Sequence, residues 1–471
     1  MDYKKGMEIE IDIIDISICG HGIGKIDGMT VFISRECNKQ TECGQEPESE
    51  GLVFGDNIIA EITEVKKRFL KAKLKKIIKP SAFRRPSHCE YAEKCGGCMF
   101  RNMTYEGQLI LKQKQAKDKY IRLAGIENPK INDIIGMEDP VRYRNKTQIA
   151  IGTGNVGFFS AKSHEVIDCK TCSISARPAE VIADVVRTFI KSHNISLYDR
   201  ATGKGLIRHV IVRTAFETGE VMAILVINGK SLPAYEEVIT MMDEAVYAIE
   251  ESEYSLESVV LNINTDKTSQ VLGEKSITVA GKPTISDTIR NMEFEISPQS
   301  FYQVNPIQME KLYDKVIEYA GLTGSETVLD IYCGVGTIGL WCAAKAGKVL
   351  GIESVKSAVI DANRNAVING IVNAQYICGQ AENELPKLVE SGLEANVVIL
   401  DPPRAGCRQE LLQAVAKTKA QRIVYVTCDI ATQARDIKIL KESGYEFIEA
   451  TPVDMFPWSK SVEAVALLKR T

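Results

Sequence analysis

Thr327-Val328-Leu329-Asp330-Ile331-Tyr332-Cys333-Gly334-Val335-Gly336-Thr337-Ile338-Gly339 is the stretch around which the rest of this chain can be read. Its first five residues form an apolar, β-branched run that predicts a short buried strand, and the glycine loop turns the chain into a helix. Working outward, Val349-Leu350-Gly351-Ile352 is a second strand ending at Glu353, and Gly379-Gln380-Ala381-Glu382 follows a third. Val397-Val398-Ile399-Leu400 is a fourth strand and delivers Asp401-Pro402-Pro403-Arg404. Val424-Tyr425-Val426-Thr427 is a fifth and ends at Cys428. Regular strand–helix alternation of this kind predicts a parallel sheet with helices on both faces. Ligands bind such sheets outside the carboxyl ends of the strands, so Asp330, Glu353, Asp401 and Cys428 are expected along one edge.

The loop Gly334-Val335-Gly336-Thr337-Ile338-Gly339 spells GxGxxG, which in a dinucleotide enzyme holds a pyrophosphate at a helix N-terminus. An acidic residue at the strand end before a Gly-x-Gly loop suits S-adenosylmethionine better, because that cofactor carries no phosphate and has a cationic portion. Glu353, seventeen residues after Gly336, stands where a carboxylate accepts both ribose hydroxyls. The prolines after Asp401 stiffen the loop at the substrate edge. A strand-end cysteine is ordinarily an inert core thiol. Asp401 and the cofactor edge beside it make Cys428 a candidate nucleophile.

The chain has 471 residues, 45% hydrophobic and 25% charged, which suits two to four globular domains. No apolar run is long enough to span a bilayer and no apolar leader opens the chain, so a cytoplasmic protein with no membrane partner is expected. Thirteen cysteines, an odd number, argue for thiols and metal ligands rather than a disulfide framework. The net charge of −4 does not suggest nucleic acid, but Lys66 to Arg85 carries ten basic side chains and no acidic one. A one-signed run of this length predicts a phosphate-binding surface.

Residues 7–80 read as a small β-barrel. Met7 to Ile14 alternates charged and apolar residues, Met29 to Ile33 is another strand, Asn57 to Val65 and Phe69 to Ile78 continue the pattern, and residues 38–51 form a Glu-rich loop. Cys89, Cys95 and Cys98 follow, the last two separated by Gly96-Gly97. Three thiols this close predict a soft-metal site, and a 4Fe-4S cluster suits the single tight pair better than zinc. A fourth ligand must come from elsewhere, with Cys169 and Cys172 as candidates. Thr104 to Leu123 predicts a basic amphipathic helix with Lys112, Lys114, Lys117 and Lys119 on its polar side. From Arg142 to Phe294 the pattern is α+β. Tyr143 to Lys146, Ile207 to Arg213 and Val221 to Val226 are expected strands, with turns at Gly154-Asn155 and Gly219-Glu220. Arg208 and Arg213 read as surface charges, and His164, His193 and His209 receive no role.

Taken together, Gly20-His21-Gly22-Ile23-Gly24-Lys25-Ile26-Asp27-Gly28, Cys89/Cys95/Cys98, Ser300-Phe301-Tyr302-Gln303-Val304-Asn305, Asp330-x-Tyr332-Cys333-Gly334-x-Gly336, Asp401-Pro402-Pro403-Arg404-Ala405-Gly406, Tyr425-Val426-Thr427-Cys428 and Asp454-Met455-Phe456-Pro457 with Val462-Glu463 carry a resemblance. The first resembles the RNA-binding TRAM barrel. The set as a whole resembles the RNA 5-methyluridine methyltransferases over nearly the whole chain, and among them the bacterial members acting on 23S ribosomal RNA. The resemblance implies a TRAM-like OB barrel (1–80), an iron-sulfur segment with a central α+β RNA-binding domain (81–290), and a Rossmann-like class I methyltransferase domain (291–471); a monomer is expected. It implies that Cys428 adds to C6 of a flipped-out uracil and that Glu463 removes the C5 proton. It implies that Gln303, Tyr332, Gly334, Gly336, Glu353 and Asp401 bind S-adenosylmethionine, and that Cys172 is the fourth cluster ligand. The chain departs from the family where Thr427-Cys428-Asp429-Ile430 replaces the common Ser-Cys-Asn-Pro, and where Trp458 and Ser461 stand in place of histidine.

A transfer RNA substrate fits the same residues. An amino-group methyltransferase also uses Asp-Pro-Pro, but with an aromatic residue at the position of Arg404 and no thiol. Radical enzymes space their cluster cysteines differently, and a dehydrogenase has only GxGxxG to support it. A non-catalytic RNA-binding protein has no need of Glu353, Asp401, Cys428 and Glu463.

Overall fold

The computed structural model describes residues 3–34, 51–87, 89–152, 154–161, 163, 165–250, 253–268 and 270–471, and divides the chain into two compact units. The first is Met1–Gln115 with Phe456–Lys460; the second is Ala116–Met455 with Ser461–Thr471.

The first unit is built on a six-stranded sheet, β1 (Glu8–Asp12), β2 (Asp15–Ile16), β3 (Gly22–Ile26), β4 (Met29–Ser34), β5 (Asn57–Val65) and β6 (Phe69–Lys79), in the order β1-β5-β6-β4-β3-β2. Alternation sets the inner face: in β1, Ile9 and Ile11 are buried while Glu8, Glu10 and Asp12 are exposed. The core gathers Val31, Ile33, Ile58, Ile62 and Leu70. The basic run does not stand alone. Glu64 pairs with Lys66 and Lys71, Glu61 with Lys73 and Lys75, and buried Asp56 with Arg84. Carboxylates on β5 and just before it thus pair with five of the ten basic side chains, which a one-dimensional charge count misses. The Glu-rich loop falls almost wholly outside the described residues.

Helix α1 (Tyr105–Ala124) corrects one expectation. Lys112 is wholly buried, not on a polar face, and its Nζ donates to the Phe456 carbonyl at 3.1 Å.

The second unit contains two seven-stranded sheets. In the first, β7 (Lys146–Gly152), β8 (Asn155–Phe159), β9 (Val166–Asp168), β10 (Ile207–Thr214), β11 (Glu220–Ile227), β12 (Ser255–Ile263) and β13 (Lys275–Gly281) take the order β13-β12-β11-β10-β7-β8-β9. Helices α2 (Arg177–Ser192) and α3 (Tyr235–Tyr247) supply Val186, Phe189, Val238 and Met242 to the core over one face. The expected turns at Gly154 and Gly219 are present, both at positive φ. The strand expected from Tyr143 begins only at Lys146, because the Arg144 and Asn145 amides bond instead to the carbonyls of Ile174 and Val304. Arg208 and Arg213 are 4% and 3% exposed rather than surface charges. Arg208 donates to the carbonyls of Asn264 and Asp266 and lies over the Tyr198 ring. Arg213 donates to the carbonyls of Pro298 and Ser300. His193 contacts Glu237 at 3.0 Å, His209 packs edge-on against Phe159, and His164 lies outside the described residues.

A hairpin, β14 (Ile285–Ile289) and β15 (Met292–Ile296), precedes α4 (Pro306–Ala320), which starts at an Asn305 cap with Pro306 behind it and stops at left-handed Gly321. Then come β16 (Thr327–Ile331), α5 (Thr337–Ala343), β17 (Lys348–Glu353), α6 (Lys356–Ile368), β18 (Ala374–Cys378), α7 (Ala381–Glu390), β19 (Val397–Leu400), α8 (Gln409–Lys417), β20 (Arg422–Thr427), α9 (Ile430–Glu442), β21 (Tyr445–Val453) and β22 (Glu463–Arg470). The sheet order is β18-β17-β16-β19-β20-β22-β21, with β16 to β20 parallel and β22 antiparallel between β20 and β21. Strand order reverses between β16 and β19, so a crevice opens at their carboxyl ends. Among the described residues no helix is long and apolar enough to cross a membrane.

Candidate active site

The β16–α5 turn is made by left-handed backbone. Tyr332, Gly334 and Gly336 have φ of 65°, 55° and 82°. At Gly336 a Cβ would lie 2.6 Å from the Tyr376 hydroxyl, so only glycine lets the loop pass. The cleft beyond it is lined by Gln303, Asp330, Tyr332, Gly334 and Asp401, together with Phe301 and Tyr313. Four of the expected cofactor residues, Gln303, Tyr332, Gly334 and Asp401, therefore share one cleft. Gly336 caps α5 just behind it. Glu353 ends β17 and accepts from the Gly334 amide at 3.1 Å and the Val355 amide at 2.7 Å. The Tyr332 hydroxyl donates to Glu382, in the first turn of α7, at 3.0 Å.

Asp330 is the cleft's most unusual group. It is fully buried and neither carboxylate oxygen makes a well-formed hydrogen bond. Burial pushes its pKa up to about 7, with Asp401 repelling its charge further and the nearby Gly339 amide opposing the shift. A buried carboxylate lining the cleft, with no side-chain partner and only the Gly339 amide near it, suits a cationic ligand, so these residues fit S-adenosylmethionine by their own chemistry.

On the other side of the switch point, β20 pairs with β22 so that Thr427 faces Ala464. One residue further in that antiparallel register, Cys428 stands across from Glu463, and cross-strand partners point to the same face. Cys428 is half-buried and Glu463 is 4% exposed. Burial pushes Glu463 up to about 8; the charge of Asp401 adds to this and Arg404 opposes it. Burial also raises the Cys428 thiol, again with Glu463 and Asp401 raising it and Arg404 lowering it. Asp401 itself is pushed up to about 7 by burial. Arg404 is thus the cation whose charge opposes the upward shift of both Cys428 and Glu463, an effect its place in Asp-Pro-Pro-Arg did not disclose.

Asp429 has a structural task. Its side chain accepts from the Ala431 amide at 2.9 Å and caps α9, as an asparagine does. Cys428 therefore sits at the amino-terminal end of a thirteen-residue helix, whose dipole favours a thiolate.

The cysteines expected to hold metal are placed differently. Cys89, Cys95 and Cys98 are partly exposed on a loop of the first unit, and the Gly97 amide donates to the Cys95 sulfur at 3.4 Å. Cys172 belongs to the second unit and is partly exposed; Cys169 is buried, with its thiol on the Thr171 carbonyl. Among the described residues no three His, Cys, Asp or Glu side chains are gathered as a metal site.

Residues 243–471 match the family model described as tRNA (Uracil-5-)-methyltransferase. The chain is 46% identical over 471 residues to an uncharacterized RNA methyltransferase of Caldanaerobacter subterraneus subsp. tengcongensis, covering 99% of both proteins. The chain belongs to the RNA uracil-5-methyltransferase family. An uncharacterized RNA methyltransferase of Clostridium tetani is 41% identical over 469 residues, covering 99% of this chain and 97% of its own length. Among solved structures, the Pyrococcus abyssi tRNA (uracil-54, C5)-methyltransferase in complex with S-adenosyl-L-homocysteine superposes with a TM-score of 0.73. It shares 26% identity and covers 98% of this chain and 100% of its own. As a family member, the protein is an S-adenosylmethionine-dependent RNA methyltransferase.

Proposed function

We propose that this enzyme methylates C5 of a specific uridine in 23S ribosomal RNA through a covalent bond between Cys428 and C6 of the base. The observation that carries the reading is the β20–β22 register, which sets a thiol against a buried carboxyl at the edge where the Asp330 cleft also ends. Uracil C5 is a poor nucleophile. Addition of the Cys428 thiolate to C6 of a flipped-out base forms a C–S bond and moves the electron pair to C5. S-adenosylmethionine, held by Gln303, Tyr332, Gly334, Gly336, Glu353 and Asp401, supplies the electrophilic methyl. Glu463 as carboxylate then takes the C5 proton, the C5–C6 double bond re-forms, and the Cys428 thiolate leaves. Arg404 offsets the negative charge that Asp401 and Glu463 place beside the thiol.

The remaining parts follow the same reading. Residues 1–80 serve as a TRAM-like RNA-binding barrel, 81–290 as the iron-sulfur and central RNA-binding segment, and 291–471 as the methyltransferase domain, in a cytoplasmic monomer. Cys89, Cys95, Cys98 and Cys172 hold a 4Fe-4S cluster with a structural or RNA-contacting role, since methyl transfer moves no electrons. The spacing of the three thiols and the Gly97 amide on the Cys95 sulfur support it. A transfer RNA substrate is the second reading, supported by the description of the matching family model and by the substrate of the Pyrococcus enzyme.

Purified enzyme and S-adenosylmethionine incubated separately with unmodified 23S ribosomal RNA and bulk transfer RNA test the substrate. 5-methyluridine in the ribosomal RNA alone is the expected result. The nucleoside in transfer RNA alone transfers the assignment there, and methylated adenine in either overturns uracil chemistry.

A further inference from the structure

Asp436 lies on α9, two turns beyond Cys428, fully buried. Its Oδ2 accepts the Cys407 amide at 2.8 Å and the Tyr425 hydroxyl at 2.6 Å, and its Oδ1 accepts Arg435 Nε at 2.8 Å. Arg435 Nη2 in turn donates to the carbonyls of Ala405 at 3.1 Å and Cys407 at 3.2 Å. The pair therefore clamps both ends of Ala405-Gly406-Cys407, the segment that closes the Asp401-Pro402-Pro403-Arg404 loop. Gly406 is left-handed there, and a Cβ would lie 2.5 Å from Arg435 Nη2 and 2.7 Å from Asp436 Oδ2. The fit between loop and helix has no slack. One rigid helix thus begins at the nucleophile and, further along, grips the loop that carries Arg404. A buried carboxylate with a half-exposed arginine is a costly way to hold a loop unless its geometry matters.

We propose that Asp436, assisted by Arg435, is a positioning residue that fixes Arg404 and Asp401 against Cys428 and Glu463. It touches no reacting atom. It sets the distance of one cation to two groups whose ionisation the reaction needs, and without it the loop drifts and the thiolate loses its support.

This rests on Cys428 as nucleophile. The test therefore reads the thiol with and without turnover. Mass spectrometry of the Cys428 peptide after brief iodoacetamide treatment at a series of pH values gives the thiol's titration. In Asp436→Ala the midpoint is expected to move to higher pH, kcat to fall by about 100-fold as for a misplaced catalytic group, and KM for S-adenosylmethionine to change less than about threefold. Arg404→Gln is expected to move the midpoint the same way, and the double variant no further, as for two residues acting as one unit. Arg435→Gln, altered at a half-exposed site, gives a smaller shift and serves if Asp436→Ala folds poorly. A lowered Tm with an unmoved midpoint overturns the proposal, as does simple additivity in the double variant. Retained methylation by Cys428→Ala would instead sink the nucleophile reading, leaving the alkylation result to stand alone.

Discussion

At the residue scale, Glu463 and Cys428 govern the pH behaviour. In the proposed mechanism Glu463 serves as base only when ionised; burial pushes its pKa up to about 8 and raises the Cys428 thiol as well. kcat/KM is therefore expected to rise with pH through about 8; a profile that peaks near pH 6 and then falls contradicts it. Glu463→Gln leaves addition and methyl transfer intact and blocks proton removal. The variant is expected to accumulate a methylated protein–RNA adduct on ordinary RNA, seen as a shifted band on a denaturing gel. The same substitution changes stability with a defined sign. Between about pH 4.3 and 8 folded Glu463 keeps a proton the unfolded chain has lost, so stability falls as pH rises across that window. Calorimetry should find that the Tm of Glu463→Gln falls less than that of wild type from about pH 5 to about pH 9. Cys428 and Asp401 could be singled out in the sequence because each follows a strand end within a short motif, whereas Glu463 was singled out through the family resemblance alone. Asp436 and the role of Arg404 were not, because their meaning lies in contacts between a helix and a loop about thirty residues apart. Asp429 stands in the sequence only as a departure from the common asparagine; its cap geometry shows what its side chain does.

At the element scale, the parallel strands were read nearly to the residue, since β16 and β19 are continuous apolar runs bounded by turn residues. The errors fell where burial and sequence polarity disagree. Lys112 sits in a helix whose basic residues suggest a solvated stripe, yet its ammonium reaches a backbone carbonyl of the same unit. Arg213 looks like a sheet-surface charge, yet it ties β10 to the segment running into Gln303. No local pattern distinguishes a guanidinium facing water from one facing carbonyls 85 and 87 residues away. Arg213→Ala is expected to cost about 2–4 kcal/mol, because charged hydrogen bonds are lost and two carbonyls are left without their donor. It should also raise KM for S-adenosylmethionine by loosening Gln303. Chemical denaturation and initial rates check both, and an unchanged KM would confine Arg213 to stability.

At the scale of the whole molecule, the order of the second unit's last sheet gathers residues from four strand ends onto one edge. Asp330, Glu353, Asp401 and Cys428 span nearly a hundred residues of sequence and become neighbours at the switch point. That convergence was readable because parallel strand–helix alternation admits few topologies. The proposed cluster rests on the spacing of Cys89, Cys95 and Cys98 in the sequence, and among the described residues no three such side chains are gathered around it. Anaerobically purified protein is expected to carry iron and visible absorbance, both lost in a triple Cys89, Cys95 and Cys98 to Ser variant. Colourless protein with stoichiometric zinc would refute the cluster. The central claim is the covalent bond from Cys428 to the base, and one measurement reaches it directly. Substrate RNA carrying 5-fluorouridine at the target cannot lose its C5 substituent as a proton, so the adduct stays trapped. Incubated with S-adenosylmethionine, wild-type protein is predicted to give a denaturation-stable protein–RNA band and Cys428→Ala none; no band with wild type, or an equal band with the variant, would contradict the account.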